Sequence, residues 1–245
     1  MLTMSIYGPM LPLSTSCDKI LSMAKNRAAS TDAGSAYHHG DLKRALVNAA
    51  LTLLTEKQDW DFSLREVTRV AGVSHNAPYN HFVDKRDLLA AVAAASHEVL
   101  LARMQAAATS VDARDAAGAL AAIGEAYVHF GTENPARYRL MFGTALVTSE
   151  NGLPPIVAES AARAKTVLRD IVLRGALDGT FAVSPADAEA MDLAVLSAWS
   201  IVHGLTMLLI DGLAATGAPL KLSKETVQQI AEGISRTFRD GMLKR

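Results

Sequence analysis

The sequence predicts an all-α fold: an N-terminal three-helix unit with a helix-turn-helix, followed by a C-terminal helical bundle. Three observations predict it. Half of the residues are hydrophobic but only 5% are aromatic, and the abundance of Ala and Leu favours helices over strands. Apolar residues recur at helical spacing along most of the chain, interrupted by Pro, Gly and Asn breaks. The stretch AGVSHNAPYNHFVDKRDLL, Ala71 to Leu89, reads as the end of one helix, a tight turn, a second short helix and the start of a long one.

Residues 1–36 show neither helical nor strand periodicity and read as a disordered extension. A start codon placed too early, with Met23 as the true start, gives the same appearance. A basic arm carrying Lys25 and Arg27 into a minor groove is the other reading. From Asp41 to Gln58, Leu42, Ala45, Leu46, Ala49, Ala50, Leu53 and Leu54 form one apolar stripe. Trp60 and Phe62 are expected to close this helix onto the next, which runs from Ser63 to Ala71 with Ser63 and Glu66 as a capping box.

Gly72 supplies the positive φ of the turn. Ser74 is then expected to cap a helix of about two turns, His75 to His81, whose polar cluster of His75, Asn76, Asn80 and His81 suits outward presentation. Pro78 falls at its fourth position and is expected to leave only a slightly irregular first turn. Asp84 caps the long helix to Thr109, and Lys85 sits where the macrodipole disfavours a cation unless an anion such as a phosphate meets it.

After a linker at Ser110 to Arg114, helices are expected at about 116–132, 135–147, 154–178, 185–215 and 223–242. The domain division is therefore 1–36, an extension; 37–83, the helix-turn-helix; 84–110, a connecting helix; and 111–245, the bundle.

A formal net charge of −1 does not by itself suggest nucleic acid, because Lys43, Arg44, Arg65, Arg69, Lys85 and Arg86 alternate with Asp41, Glu66, Asp84 and Asp87. A lone cysteine, Cys17, excludes an internal disulfide and suits a reducing cytoplasm, the expected location. No apolar run reaches the length of about 18 residues that a span needs, so no membrane association is expected; Leu205 to Ile210 is the best stretch. The N-terminus lacks the basic region of a signal peptide. No cofactor or metal motif is present: HExxH, GxSxG, the P-loop and GxGxxG are all missing, and the pair Glu125 and His129 has no third ligand.

The runs HHGDLKRALVNAALTLL, His38 to Leu54, and FSLREVTRVAGVSHNAPYNHFVDKRDLLAAV, Phe62 to Val92, resemble the N-terminal DNA-binding domain of the TetR/AcrR transcriptional regulators. AWSIVHGLTMLLIDG, with Trp199, His203 and Gly204, and NPARYRLMFG, Asn134 to Gly143, are similar to the C-terminal type marked by a tryptophan-histidine-glycine signature. The resemblance implies a regulator, most often a repressor, that binds a double-stranded palindromic operator as a dimer and is released by a small-molecule effector.

On that reading, His75, Asn76 and Asn80 face base edges, Asn being matched to adenine by its paired donor and acceptor. His39, Ser63, Ser74, Tyr79, His81 and Lys85 face phosphates, although Tyr79 and His81 would also serve as core or cap residues. The helix 185–215 is apolar on more than one face, and with 223–242 it would form a two-fold homodimer interface. Tyr127, Phe130, Tyr138, Met141, Phe142, Trp199, His203 and Met207 are expected to line an effector cavity; as simple core residues they would show the same spacing. Trp199 and Gly204 read as packing determinants. A helical protein–protein adaptor without DNA binding, or a small metal-dependent enzyme, is the competing function.

Overall fold

In the computed structural model the described residues are 33–148, 152–213 and the positions 225, 228, 229 and 233, with side chains described from Leu42 onward. The expected arm of residues 1–32 and most of the expected last helix lie outside them, as do residues 214–224, which include the Gly217 to Pro219 break. The chain divides into two compact units, Met1–Asp41 and Leu42–Arg245. The described residues form seven α-helices and two short 3-10 turns.

The first helix, α1, spans Ala33–Lys57, eight residues earlier than the Leu-rich stripe begins. Ala33 and Ala36 are good helix formers and no proline intervenes, so nothing local stops the helix from propagating N-terminally. It stops where Gln58 turns left-handed at φ 55° and its amide donates to the Thr55 carbonyl at 2.7 Å. The stripe Leu46, Ala49, Ala50, Leu53 and Leu54 is buried as the spacing requires.

Helix α2, Leu64–Ala71, carries the expected capping box. The Ser63 hydroxyl accepts from the Glu66 N–H at 3.2 Å, while the Ser63 N–H donates to the Glu66 carboxylate at 2.8 Å. At its other end Gly72 has φ 67°, its N–H reaching Arg69 O at 3.3 Å while the Val73 N–H reaches Thr68 O at 3.0 Å. This is a Schellman closure, and it needs the left-handed residue.

The segment expected as a two-turn helix from His75 to His81 is instead a 3-10 turn, Ala77–Asn80. Pro78 is the reason. It has no N–H to return to Ser74 O, so Ala77 takes that carbonyl at 3.0 Å, and i→i+3 bonds continue with Tyr79 to Asn76 O and His81 to Pro78 O. The proline thus tightens the whole element and not only its first turn.

Helix α3, Lys85–Thr109, is capped reciprocally: Asp84 accepts from the Asp87 N–H at 2.8 Å and Asp87 from the Val83 N–H at 3.1 Å. Its buried residues run from Leu88 to Met104. Helices α4, Ala116–Glu133, α5, Pro135–Phe142, α6, Pro155–Leu177, and α7, Ala188–Ile210, complete the bundle around it. Helix α5 ends five residues before the expected boundary because Gly143 is extended, and a 3-10 turn, Thr144–Leu146, follows. Helix α7 begins after Asp187, whose side chain accepts from the Ala190 N–H, and ends before the left-handed Gly212.

One apolar core runs from Leu46 on α1 to Ala198 on α7. The outer face of α7 is different: Leu193 is 62% exposed, and Leu196 and Leu208 are also open. Contrary to the sequence expectation, α7 is long and apolar enough to cross a membrane by length and composition, with a mean hydropathy of 2.0 over its best window, 28% of which is buried. Among the described residues nothing lies within 4 Å of a Cβ added at Gly204, so none of them demands a glycine there.

Gly175 on α6 is demanded. An added Cβ would lie 2.3 Å from the Phe181 ring, which is buried on the returning loop. Gly175→Ala is expected to cost about 1–3 kcal/mol by overpacking, read as a lower urea midpoint at unchanged m-value.

Candidate nucleic-acid interface and ligand cavity

The helix-turn-helix presents one polar face. His75, Asn76, Tyr79 and Asn80 are all exposed around the 3-10 turn, Tyr79 at 56%, while Ala77, Pro78 and Phe82 turn inward. The His75 and Tyr79 rings meet edge to face at 6.4 Å, which orders two long side chains on that face. Val83 is 87% exposed beside them.

The residues assigned to phosphates are less uniform. Ser74 and Ser63 are exposed, but the Ser63 hydroxyl is engaged with Glu66. His81 is half-buried, and the side chain of His39 lies outside the described residues. Lys85 is half-buried with its ammonium 5.3 Å from the centre of the Phe62 ring. Within the protomer, the π face of Phe62 therefore supplies the negative partner that its position at a helix N-terminus calls for. Lys43 sits likewise over Phe82 at 5.6 Å.

Lys57 bonds the Glu66 carboxylate at 2.7 Å, and with the two Ser63 bonds this lowers the Glu66 pKa to about 2. The cap survives mild acid for that reason.

A cavity of about 510 Å³ opens among α3, α4, α6 and α7. Three helices line it with stripes at i, i+3 or i+4, and i+7: His97, Leu100 and Met104 on α3; Leu120, Gly124 and Tyr127 on α4; Ala161, Lys165 and Leu168 on α6. Small side chains, Ala121, Gly124, Ala158, Ala161, Ala162 and Ala198, leave the volume empty. The volume is in the range of drug-sized ligand sites.

Of the residues expected to line a cavity, Tyr127, Met141, Phe142 and Trp199 do so. Phe130, Tyr138, His203 and Met207 are not lining residues, and the first two are fully buried. Phe130 lies under the Arg103 guanidinium at 5.6 Å. Spacing alone does not distinguish the layer that faces the cavity from the layer behind it.

That second layer is polar. Trp199 Nε1 donates to the Tyr127 hydroxyl at 3.1 Å; the Tyr138 hydroxyl lies 3.0 Å from that of Tyr127 and 2.7 Å from His203 Nδ1. Burial pushes Tyr127 up to about 12 and Tyr138 well above the ordinary phenol value, so both remain protonated donors. Burial also holds His203 below the ordinary 6.5, which leaves Nδ1 as a neutral acceptor. The Tyr138 and His203 rings stack at 5.5 Å, and Phe142 packs against both.

Among the lining residues that sequence reading missed, His97 is the buried polar one. It is 1% exposed on α3, beside Phe142 at 5.4 Å, and burial pushes its pKa below 6.5. Its spacing from Leu100 and Met104 was the available signal. Among the described residues, no group of three His, Cys, Asp or Glu side chains is placed to hold a metal.

Residues 120–231 match the family model described as a tetracyclin repressor-like C-terminal domain. That match covers 112 of the 245 residues and makes this segment similar to the C-terminal domain of TetR-family regulators. Solved structures agree on the fold. A protein of unknown function from Rhodococcus sp. RHA1 is 26% identical with a TM-score of 0.66, covering 90% of this chain and 100% of its own. A TetR family transcription regulator from Marinobacter aquaeolei VT8 is 18% identical, TM-score 0.59, covering 85% and 100%. The fatty acid degradation regulator FadR from Bacillus halodurans is 13% identical, TM-score 0.61, covering 81% and 98%. No curated protein matches the sequence.

Both histidines titrate in the acid direction. Their folded pKa values lie below 6.5, so the folded state excludes protons that the unfolded chain accepts. Their contribution to stability is complete above about 6.5 and declines as the pH falls through that value toward the folded pKa. Thermal unfolding from neutral pH downward should show this decline, and combined His97→Gln and His203→Gln should flatten it. Glu66 acts only between its ordinary 4.5 and about 2, a separate window.

Proposed function

We propose that this chain is a cytoplasmic, DNA-binding transcriptional regulator of the TetR type, a homodimeric repressor that leaves a palindromic operator when a small-molecule effector fills its cavity. The observation that carries this reading is the shared helix α3. Its N-terminus closes the helix-turn-helix at Asp84, while His97, Leu100 and Met104 further along form a cavity wall. A ligand wedged against those three residues bears on the element that holds the reading head. The Arg86 guanidinium, donating to Leu146 O at 2.6 Å, ties the start of α3 to the turn that follows α5, and α5 contributes Met141 and Phe142 to the cavity.

Dimerisation is supported by the open apolar face of α7, where Leu193, Leu196 and Leu208 are exposed. Two-fold pairing would bury it and set two heads on successive major grooves, about 34–36 Å apart. The accompanying helix 223–242 lies outside the described residues except at four positions. In this reading His75, Asn76 and Asn80 contact bases, and Ser74, Tyr79, His81 and Lys85 contact phosphates. Lys85 would have to exchange part of its contact with Phe62 for the phosphate.

Purified protein should retard DNA from the region beside its own gene, with binding that weakens steeply as salt rises. Asn76→Ala is expected to cost about 1–3 kcal/mol at one base pair per half-site, whereas Tyr79→Ala should weaken all sequences alike. Failure of the folded dimer to retard any such fragment at low salt would remove the repressor reading in favour of an adaptor.

A further inference from the structure

The cavity offers a ligand one charge. Among the described residues that line it there is no Asp, Glu or Arg, and the cation is Lys165 on α6. Lys165 is exposed and pairs with no described residue, whereas its neighbours on the same helix are engaged, Arg163 with Glu98 and Arg169 with Asp192. It ends a stripe of small residues on the wall, Ala158, Ala161 and Ala162, of which Ala158 and Ala162 are also exposed. The cavity therefore opens along α6, with the cation at that opening. Other polar side chains of the wall are engaged or covered. The Tyr127 hydroxyl accepts from Trp199 Nε1 and lies 3.0 Å from the Tyr138 hydroxyl, while His97 Nδ1 is taken by Ala93 O and its Nε2 is buried. Leu100, Met104, Ile123, Leu168 and Ile201 make much of the remaining surface aliphatic. A volume of about 510 Å³ holds on the order of 15 non-hydrogen groups at about 30 Å³ each, the share of a water molecule in the liquid.

We propose that the cavity binds a single-chain amphiphile, an aliphatic tail inside and a carboxylate at the opening, where it pairs with Lys165. This rests on the reading of the cavity as a ligand site. Burial of the tail supplies the affinity. The carboxylate stays in contact with water, so it avoids the desolvation that a charge placed deeper among these side chains would suffer. A cationic head meets like charge at Lys165 and finds no carboxylate on the wall. An exposed ion pair is weak, so Lys165 selects the head group more than it strengthens binding.

The probes are decanoate, 1-decanol and decyltrimethylammonium, titrated calorimetrically into the full-length protein at neutral pH and low ionic strength, where an exposed pair is least screened. Lys165→Met, which keeps an unbranched stem, should weaken decanoate about three- to fivefold and leave decanol unchanged, the size expected of one exposed ion pair. Lys165→Glu should weaken decanoate about tenfold and strengthen decyltrimethylammonium, because repulsion then replaces attraction. Ala161→Phe, which fills the cavity, should abolish binding of decanoate and decanol alike. Equal decanoate affinity in the unaltered protein and in Lys165→Met overturns the head-group assignment while leaving the ligand site intact. So does tighter binding of the cation than of the carboxylate by the unaltered protein. Decanoate binding that survives Ala161→Phe puts the tail outside the cavity and overturns the proposal. If none of the three binds, the ligand-site reading falls with it.

Discussion

The structure depends on burying helix α3 along most of its length. Leu88, Leu89, Val92 and Ala93 pack where the helix leaves the reader, and Ser96, His97, Leu100 and Met104 continue the buried surface between α4 and α6. A helix of 25 residues is about 38 Å long, so one rigid element spans both the polar face at His75 to Asn80 and the cavity. Displacing it anywhere disturbs close-packed side chains at both ends, because cores of this density repack in steps and do not yield gradually.

Two kinds of polar burial coexist around the cavity, and they have different consequences. Across the wall, the lining residues Tyr127 and Trp199 and the residues behind them, Tyr138 and His203, satisfy one another, which removes the cost of desolvating two phenols and an imidazole. Such a closed set fixes the orientation of α5 and α7 against α4. On the wall, His97 satisfies only its Nδ1 side, on its own helix and on Ser160. The first arrangement stabilises the bundle, and the second leaves Nε2 buried without a partner among the described residues.

Caps and turns were legible in the sequence because they are local. Ser63 with Glu66, Gly72 at the turn and Asp84 before α3 each depend on residues within a few positions, and each forms as expected. The segment from His75 to His81 was misjudged because the loss of one N–H at Pro78 was treated as a single missing bond, whereas a short element has too few other bonds to hold α geometry. The start of α1 at Ala33 lies before the apolar stripe, and the end of α5 at Phe142 is set by the extended Gly143, so apolar spacing marked neither boundary.

Periodicity placed Tyr127, Phe130, Tyr138, Met141, Phe142, Trp199, His203 and Met207 on inward helix faces, but a helix face is wider than the difference between lining a cavity and lying behind it. A few tens of degrees of rotation about α4, α5 and α7 decide which, and only the packing of neighbouring helices sets that rotation. His97 was overlooked although its spacing from Leu100 and Met104 places it on the same face of α3. The sequence by itself determined most of the described α-helices, the caps at Ser63 and Asp84, the outward cluster of His75, Asn76 and Asn80, and the resemblance to TetR regulators, all products of short-range stereochemistry and patterned hydrophobicity. The tertiary structure alone decided where volume is left unfilled and how the His97 ring is held beside it, because both depend on side chains brought together from positions more than 60 residues apart.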